Sequence, residues 1–260
     1  MSLATEGTPT EAQDEWVKVQ RRKGRHSRPG TAGVRARAGP VASADLAPVP
    51  SPPSLSLEQV KEDHDRISGH WKSSASFGRL QGLLADNTAS RSVTKAICFG
   101  LGTFDPADGA WDQKRKAHIQ LAAFLSIVDH LQAQGGRQIP CFFQDPVFNS
   151  ADKTFIESLG HQVVESPLGF RLIDESALAF GVHLYKDIYS QIIAIHTPAM
   201  FIGTAYQVWE DFHGVDNFDW ARMKDLDEAC VKAAFPENPT DTAFSSTTIH
   251  WCQRNQGRIS

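Results

Sequence analysis

From residue 95 onward the chain alternates two kinds of pattern: short unbroken apolar runs, and longer segments whose apolar residues recur every three or four positions. Unbroken runs are the mark of strands covered on both faces, and the three-to-four spacing is that of helices. Residues 96–99 predict a first strand, followed by the long loop GLGTFDPADGAWD. A helix over 113–134 follows, with Leu121, Phe124, Leu125, Val128 and Leu131 in one stripe and Gly135 and Gly136 at its end. Residues 139–143 predict a second strand that runs into Gln144, Asp145 and Pro146. Asn149 or Ser150 caps a short helix carrying Phe155, Ile156 and Leu159, and Gly160 stops it. Strands over 161–165 and 177–182, a helix over 186–196 that breaks before Pro198, and a strand over 199–202 leaving through Gly203 and Thr204 come next. Residues 223–234 read as helix and 247–252 as a last strand. Ahead of all this, Leu57, Val60, His64, Ile67 and Trp71 give 56–84 the spacing of an amphipathic helix.

Alternating strands and helices predict an α/β fold: a Rossmann-like, three-layer domain around a mostly parallel sheet. Right-handed crossovers then bring the carboxyl ends of the parallel strands to one edge. No internal repeat is present. Residues 1–54 differ in kind. They are rich in Ala, Gly, Pro, Ser and Arg, end in the proline-dense APVPSPPS, and predict a disordered arm ahead of a folded domain over 55–260.

Charge sharpens that division. The whole chain carries a formal charge of -4, but Lys18, Arg21, Arg22, Lys23, Arg25, Arg28, Arg35 and Arg37 lie in a stretch without an acid. Such an arm fits a solvated tail, a nuclear-import patch or weak polyanion binding, while the body is acidic. The four cysteines, Cys98, Cys141, Cys230 and Cys252, form no C-x-x-C pair and read as buried free thiols of a reducing compartment. The first residues have no apolar core of a secretory signal, and no stretch is apolar enough for a membrane span. The expectation is a soluble intracellular protein.

Candidate chemistry gathers at the strand exits. Gly100 and Gly102 follow the first strand, Asp145 the second, His183 the fourth, and Gly203 and Thr204 the fifth. A doubly wound sheet binds ligands outside these ends, so the six residues predict one ligand cleft. Gly-x-Gly marks either a sharp turn or a place where something comes very close to the backbone. A dinucleotide fingerprint needs a third glycine where Asp105 stands, and a G-x-G-x-G loop needs one where Phe104 stands. Asp145 occupies the place of an acid that bonds ribose hydroxyls, and His183 has the chemistry of a general acid or base. Lys114, Arg115 and Lys116 open a helix against its dipole and fit either an anion site or a solvated face. Zinc-protease, Walker and hydrolase-elbow motifs are absent from the sequence, and no metal set can be read from the ten scattered histidines.

The segments FGLGTF, QLAAFLSIVDHL, QDPVFNSADKTFIESLGHQVVESPLGFRLIDESALAFGVHL and PAMFIGTAY together resemble the sensitivity-to-red-light-reduced domain, with core motifs over 92–210. The proline-rich and acidic flanks are similar to those of a filamentous-fungal member. Gly100, Gly102, Asp145, Pro146 and His183 fall on that family's pattern, whereas Thr204 stands where many members have asparagine. The resemblance implies a Rossmann-like domain without an established reaction or cofactor. It implies a regulatory protein of cytoplasm and nucleus with protein partners; relatives are linked to circadian and light signalling, haem-biosynthesis regulation, and microtubule or proteasome-related phenotypes. The alternative is an enzyme, such as a methyltransferase, that binds an adenosyl or nucleotide ligand in the strand-end cleft.

Overall fold

A computed structural model of the chain describes residues 53–87, 92–210, 219–238 and 242–252. The basic arm predicted over 1–54 lies outside the described residues except for its last two positions. Seven strands form one sheet in the order β3-β2-β1-β4-β5-β7-β6. β1 (Lys95–Phe99), β2 (Cys141–Gln144), β3 (Gln162–Val163), β4 (Ala177–Gly181) and β5 (Met200–Thr204) run parallel. β7 (Thr247–Cys252) lies antiparallel beside β5, and β6 (Cys230–Ala234) lies antiparallel beside β7 at the edge. The three-layer, mostly parallel α/β architecture is as the apolar runs predict.

Alternation along the strands feeds two cores. Ala96 and Cys98 of β1 point into a core shared with α1 (Leu57–Lys72), α2 (Ala75–Asp86), α3 (Trp111–Gly135) and α4 (Ser150–Ser158). Ile97 and Phe99 point the other way, toward α5 (Leu168–Arg171), α6 (Lys186–Ile193) and α8 (Trp220–Ala229). A short α7 (Tyr206–Glu210) follows β5. Leu121, Phe124 and Val128 of the predicted stripe are buried, but so are His118, against His64 of α1, and Gln120, whose side-chain amide donates to the Ala243 carbonyl. Gly136 ends α3 in the left-handed conformation (φ 63), and its amide bonds the Gln132 carbonyl.

Several boundaries differ from expectation, each for a local reason. The helix over 56–84 is two helices, because the Ser74 hydroxyl accepts the Phe77 amide and starts α2 afresh. The helix over 223–234 ends at Ala229, and the rest is β6, whose ladder with β7 overrides its local preference. Gly203 and Thr204 do not leave β5: they belong to it and pair with Thr248 and Thr247. Two of the four cysteines are not free. Cys230 and Cys252 stand opposite each other across β6 and β7, with Cα atoms 4.1 Å apart, and form a disulfide; Cys98 and Cys141 are buried free thiols. Among the described residues, no helix is long and apolar enough to cross a membrane.

Candidate functional site

In this strand order, β1 leads to β2 on one side and the chain later returns to β4 on the other. The crevice between the carboxyl ends of β1 and β4 is therefore the switch point at which such sheets take ligands. Gly100 leaves β1 with φ +61 and Gly102 follows with φ +82, so both adopt the conformation that glycine tolerates best. What comes close to Gly100 is the chain itself. A methyl group on Gly100 would overlap Leu184 Cδ2, and one on Gly181, the last residue of β4, would lie 2.5 Å from Leu184 Cδ1. Leu184 is thus wedged over the ends of the two strands that border the switch point.

The loop amides beside this wedge are also engaged. The Asp145 carboxylate accepts the Gly102 amide at 2.7 Å and the Val147 amide at 2.9 Å. Asp152, fully buried on α4, accepts the Phe104 amide at 2.9 Å and the Asn149 amide at 2.9 Å. Asn149 returns the favour by capping Ala151 and Asp152, which completes a capping box. Burial pushes the carboxyl pKa of both Asp145 and Asp152 up, against the pull of these amide bonds. Asp105, in the place of a third glycine, accepts from the Ser54 hydroxyl and the Leu55 amide and anchors the start of α1. Burial works to raise the pKa of Asp105, but the bonds from Ser54 and Leu55 outweigh it and the net shift is downward. At the exit from β1 the Gly102 and Phe104 amides meet carboxylates of the same chain, the Gly100 amide meets the Gln144 carbonyl and the Asp105 amide the Thr103 hydroxyl. A phosphate there would meet negative charge rather than free N–H groups.

The fourth and fifth exits are tied to each other. The Tyr189 hydroxyl donates to the Gly181 carbonyl at 2.7 Å and accepts the Thr204 amide at 3.2 Å, with the Thr204 hydroxyl 3.1 Å away. Gly203 is glycine because a methyl group there would lie 2.8 Å from the Tyr189 ring and 2.6 Å from Phe201. His183 is exposed, sits at φ 57, and its Nε2 is 2.8 Å from the Ser245 carbonyl. Of the six predicted residues, Gly102 and Asp145 are joined directly, and Gly100 meets Leu184. Gly203 and Thr204 hold Tyr189, and His183 clasps the turn before β7. Leu184, Tyr189 and Asp152 were absent from the predicted set. Only Asp152 left a signal, the Asn-x-x-Asp spacing of a capping box. The free thiols are poor nucleophiles: burial raises Cys141 to about 12 and Cys98 well above its ordinary value. No group of three potential metal ligands occurs among the described residues.

The SRR1 domain matches residues 59–251. The chain belongs to the SRR1 domain family. An SRR1-like protein of Mus musculus is 26% identical over 137 residues, which is 52% of this chain and 51% of the mouse protein. The chain thus spans about half the length of that SRR1 relative. The crystal structure of SAH-bound Podospora anserina methyltransferase PaMTH1 aligns with 75% of this chain and 95% of its own, at 12% identity and a TM-score of 0.35. A likeness of that size carries no functional inference for this SRR1 domain.

Proposed function

We propose that this SRR1 domain is a regulatory interaction module, acting in cytoplasm and nucleus on protein partners, whose strand-end crevice is closed by its own side chains. The observation that carries the reading is Leu184, wedged against Gly100 and Gly181 where a nucleotide-binding sheet leaves room for ligand. Asp145 and Asp152 support it, because they occupy the Gly102 and Phe104 amides. Tyr185, next to Leu184 in the chain, is 87% exposed, and Leu168 on α5 is another exposed apolar side chain. An exposed aromatic next in the chain to the residue that closes the crevice suits a protein contact better than a small-molecule site.

A second reading, an adenosyl or nucleotide site, is favoured by the switch point itself and by Asp145 at the end of β2. A thermal-shift screen against adenosylmethionine, nucleotides and haem separates the two. On the interaction reading no compound stabilises the wild-type chain. A ligand at a hundred times its dissociation constant stabilises by about 2.7 kcal/mol, which is easily seen. A concentration-dependent shift of that size, removed by Asp145→Asn, would replace the interaction reading with the second.

A further inference from the structure

The disulfide between β6 and β7 plays no part in the strand-end crevice, and it sits where three elements meet. Cys230 is the C-cap of α8 and the first residue of β6, and Cys252 of β7 stands directly opposite it. Among the described strands β6 lies at the edge and pairs only with β7, so the bond ties both α8 and the edge strand to the rest of the sheet. Residues two apart on a strand share a face. Lys232 stands opposite His250 in the same ladder, so these two and the disulfide share one face. That face meets α8. Asp227 of α8 pairs with Lys232, and its Oδ1 lies 3.4 Å from His250 Nε2. Gln207 of α7 donates to the same carboxylate at 3.2 Å, and Met223 and Leu226 of α8 are buried in one cluster with the two cysteines.

These ties hold without the covalent bond. A domain that runs over residues 59–251 builds a core large enough to fold unaided, whereas disulfides serve as staples chiefly in small secreted domains. In the cytoplasm and nucleus proposed above, a disulfide that forms is usually transient, and either catalytic or redox-sensing. Access to the two sulfurs is graded. Cys230 is 9% exposed beside Val231 at 48%, while Cys252 is 2% exposed. An incoming thiolate therefore reaches Cys230 first, from the sheet edge, and Cys252 is the leaving group. We propose that the Cys230–Cys252 bond is a reversible redox clasp: a dithiol reductant opens it, and the α8–β6 segment loosens while the parallel strands stay folded. In that exchange a reductant thiolate bonds Cys230 Sγ, and the electron pair of the broken bond goes to Cys252 Sγ. The second thiol of the reductant then displaces Cys230. The reductant leaves as a disulfide, and its two protons end on the two protein thiols. A small disulfide such as glutathione disulfide reverses the exchange and leaves as two thiols. The biological setting rests on the compartment proposed above, but the chemistry is read on the purified chain, so its failure leaves the interaction reading standing.

The test is a redox titration of the full chain in glutathione buffers of graded thiol-to-disulfide ratio. Native alkylation with N-ethylmaleimide and mass spectrometry of the cysteine peptides read the bond, and amide hydrogen exchange reads the segment. Cys230 and Cys252 should become alkylated together, in one two-electron transition, while the buried Cys98 and Cys141 stay unmodified. Reduction should speed exchange over residues 220–234 by roughly tenfold or more and leave β1, β4 and β5 unchanged. A double variant, Cys230→Ser with Cys252→Ser, should exchange like the reduced chain in every buffer. The reduced wild type gives the same reading without any substitution. The clasp is overturned if the bond stays closed in a large excess of dithiothreitol until the chain unfolds, or if both cysteines are alkylated even in the most oxidising buffer. It is equally overturned if reduction leaves exchange over 220–234 as it was, or speeds exchange throughout the sheet, which would make the bond a structural staple.

Discussion

Asp152→Ala should be among the most destabilising single substitutions in this domain, at about 3–5 kcal/mol. The carboxylate is fully buried and accepts the Phe104 and Asn149 amides, with the Thr103 hydroxyl as a further donor. Alanine leaves both buried amides without a partner, at about 1–3 kcal/mol each, and removes half of the capping box on α4. For a domain of this length each kcal/mol lowers the melting temperature by about 2–4 °C, so a fall on the order of 10 °C is expected. Asp105→Ala should cost less, because Asp105 holds the exposed segment at Ser54 and Leu55 ahead of α1 rather than amides sealed in the core. Urea titrations of the two variants measure the difference. A loss below about 1 kcal/mol for Asp152→Ala would mean that the β1 exit is held by something other than this carboxylate.

The second large effect is acid lability, with its source between α1 and α3. His64 Nδ1 lies 3.3 Å from His118 Nδ1, against the rings of Phe104 and Phe155. Burial lowers His64 to about 4 and His118 to about 3. Unfolded histidines take up protons near pH 6.5, whereas these two stay neutral in the fold. Protonation therefore favours the unfolded chain as soon as pH falls below about 6.5, and the stability present above that value is lost toward pH 4 and 3. Each ring contributes about 1.4 kcal/mol per pH unit, so the pair costs on the order of 3–4 kcal/mol by pH 5. The buried Asp145 and Asp152 carry raised values and act in the opposite sense as pH drops through them. Asp227 is held at about 2, where burial is outweighed by His250 and Lys232, and its contribution is lost only at much lower pH. Burial lowers His161 as well, so it adds to the loss on acidification, and the share of the His64–His118 pair is the part that a variant of the pair removes. His118→Phe, which suits the aromatic surroundings, should flatten the pH dependence between about 6.5 and 5. An unchanged slope would place the acid lability elsewhere.

The sheet was legible because a strand buried on both faces must be apolar throughout, and residues 96–99, 177–182 and 199–202 meet that condition. β6 was not, because Val231 and Lys232 are exposed at the sheet edge and their ladder partner comes later in the chain, on β7. The disulfide was hidden for the same reason, since only the register of β6 on β7 places Cys230 opposite Cys252. At the site, the sequence marked Gly100 as either a sharp turn or a place of close approach, and did not name the group that approaches. That group is Leu184, an ordinary leucine whose position depends on how β4 lies beside β1. Asp145 followed β2 as expected, yet the sequence does not say that its carboxylate turns onto the Gly102 amide.

Closure of the strand-end crevice by Leu184 is the center of this account, and a double-mutant cycle between Gly100 and Leu184 tests it most directly. Gly100→Ala places a methyl group onto Leu184 at a residue with φ +61. The left-handed backbone costs an alanine about 1–2 kcal/mol, and the overlap adds about 1–3 kcal/mol. Leu184→Ala empties the wedge and, in the double variant, relieves the overlap while the backbone cost remains. Denaturant unfolding of the wild type, both single variants and the double variant should give a double variant more stable than the sum of the singles by about 1–3 kcal/mol. Costs that add to within about 0.5 kcal/mol would show that Leu184 does not fill the space over Gly100 in solution, and the crevice would then be open to a ligand.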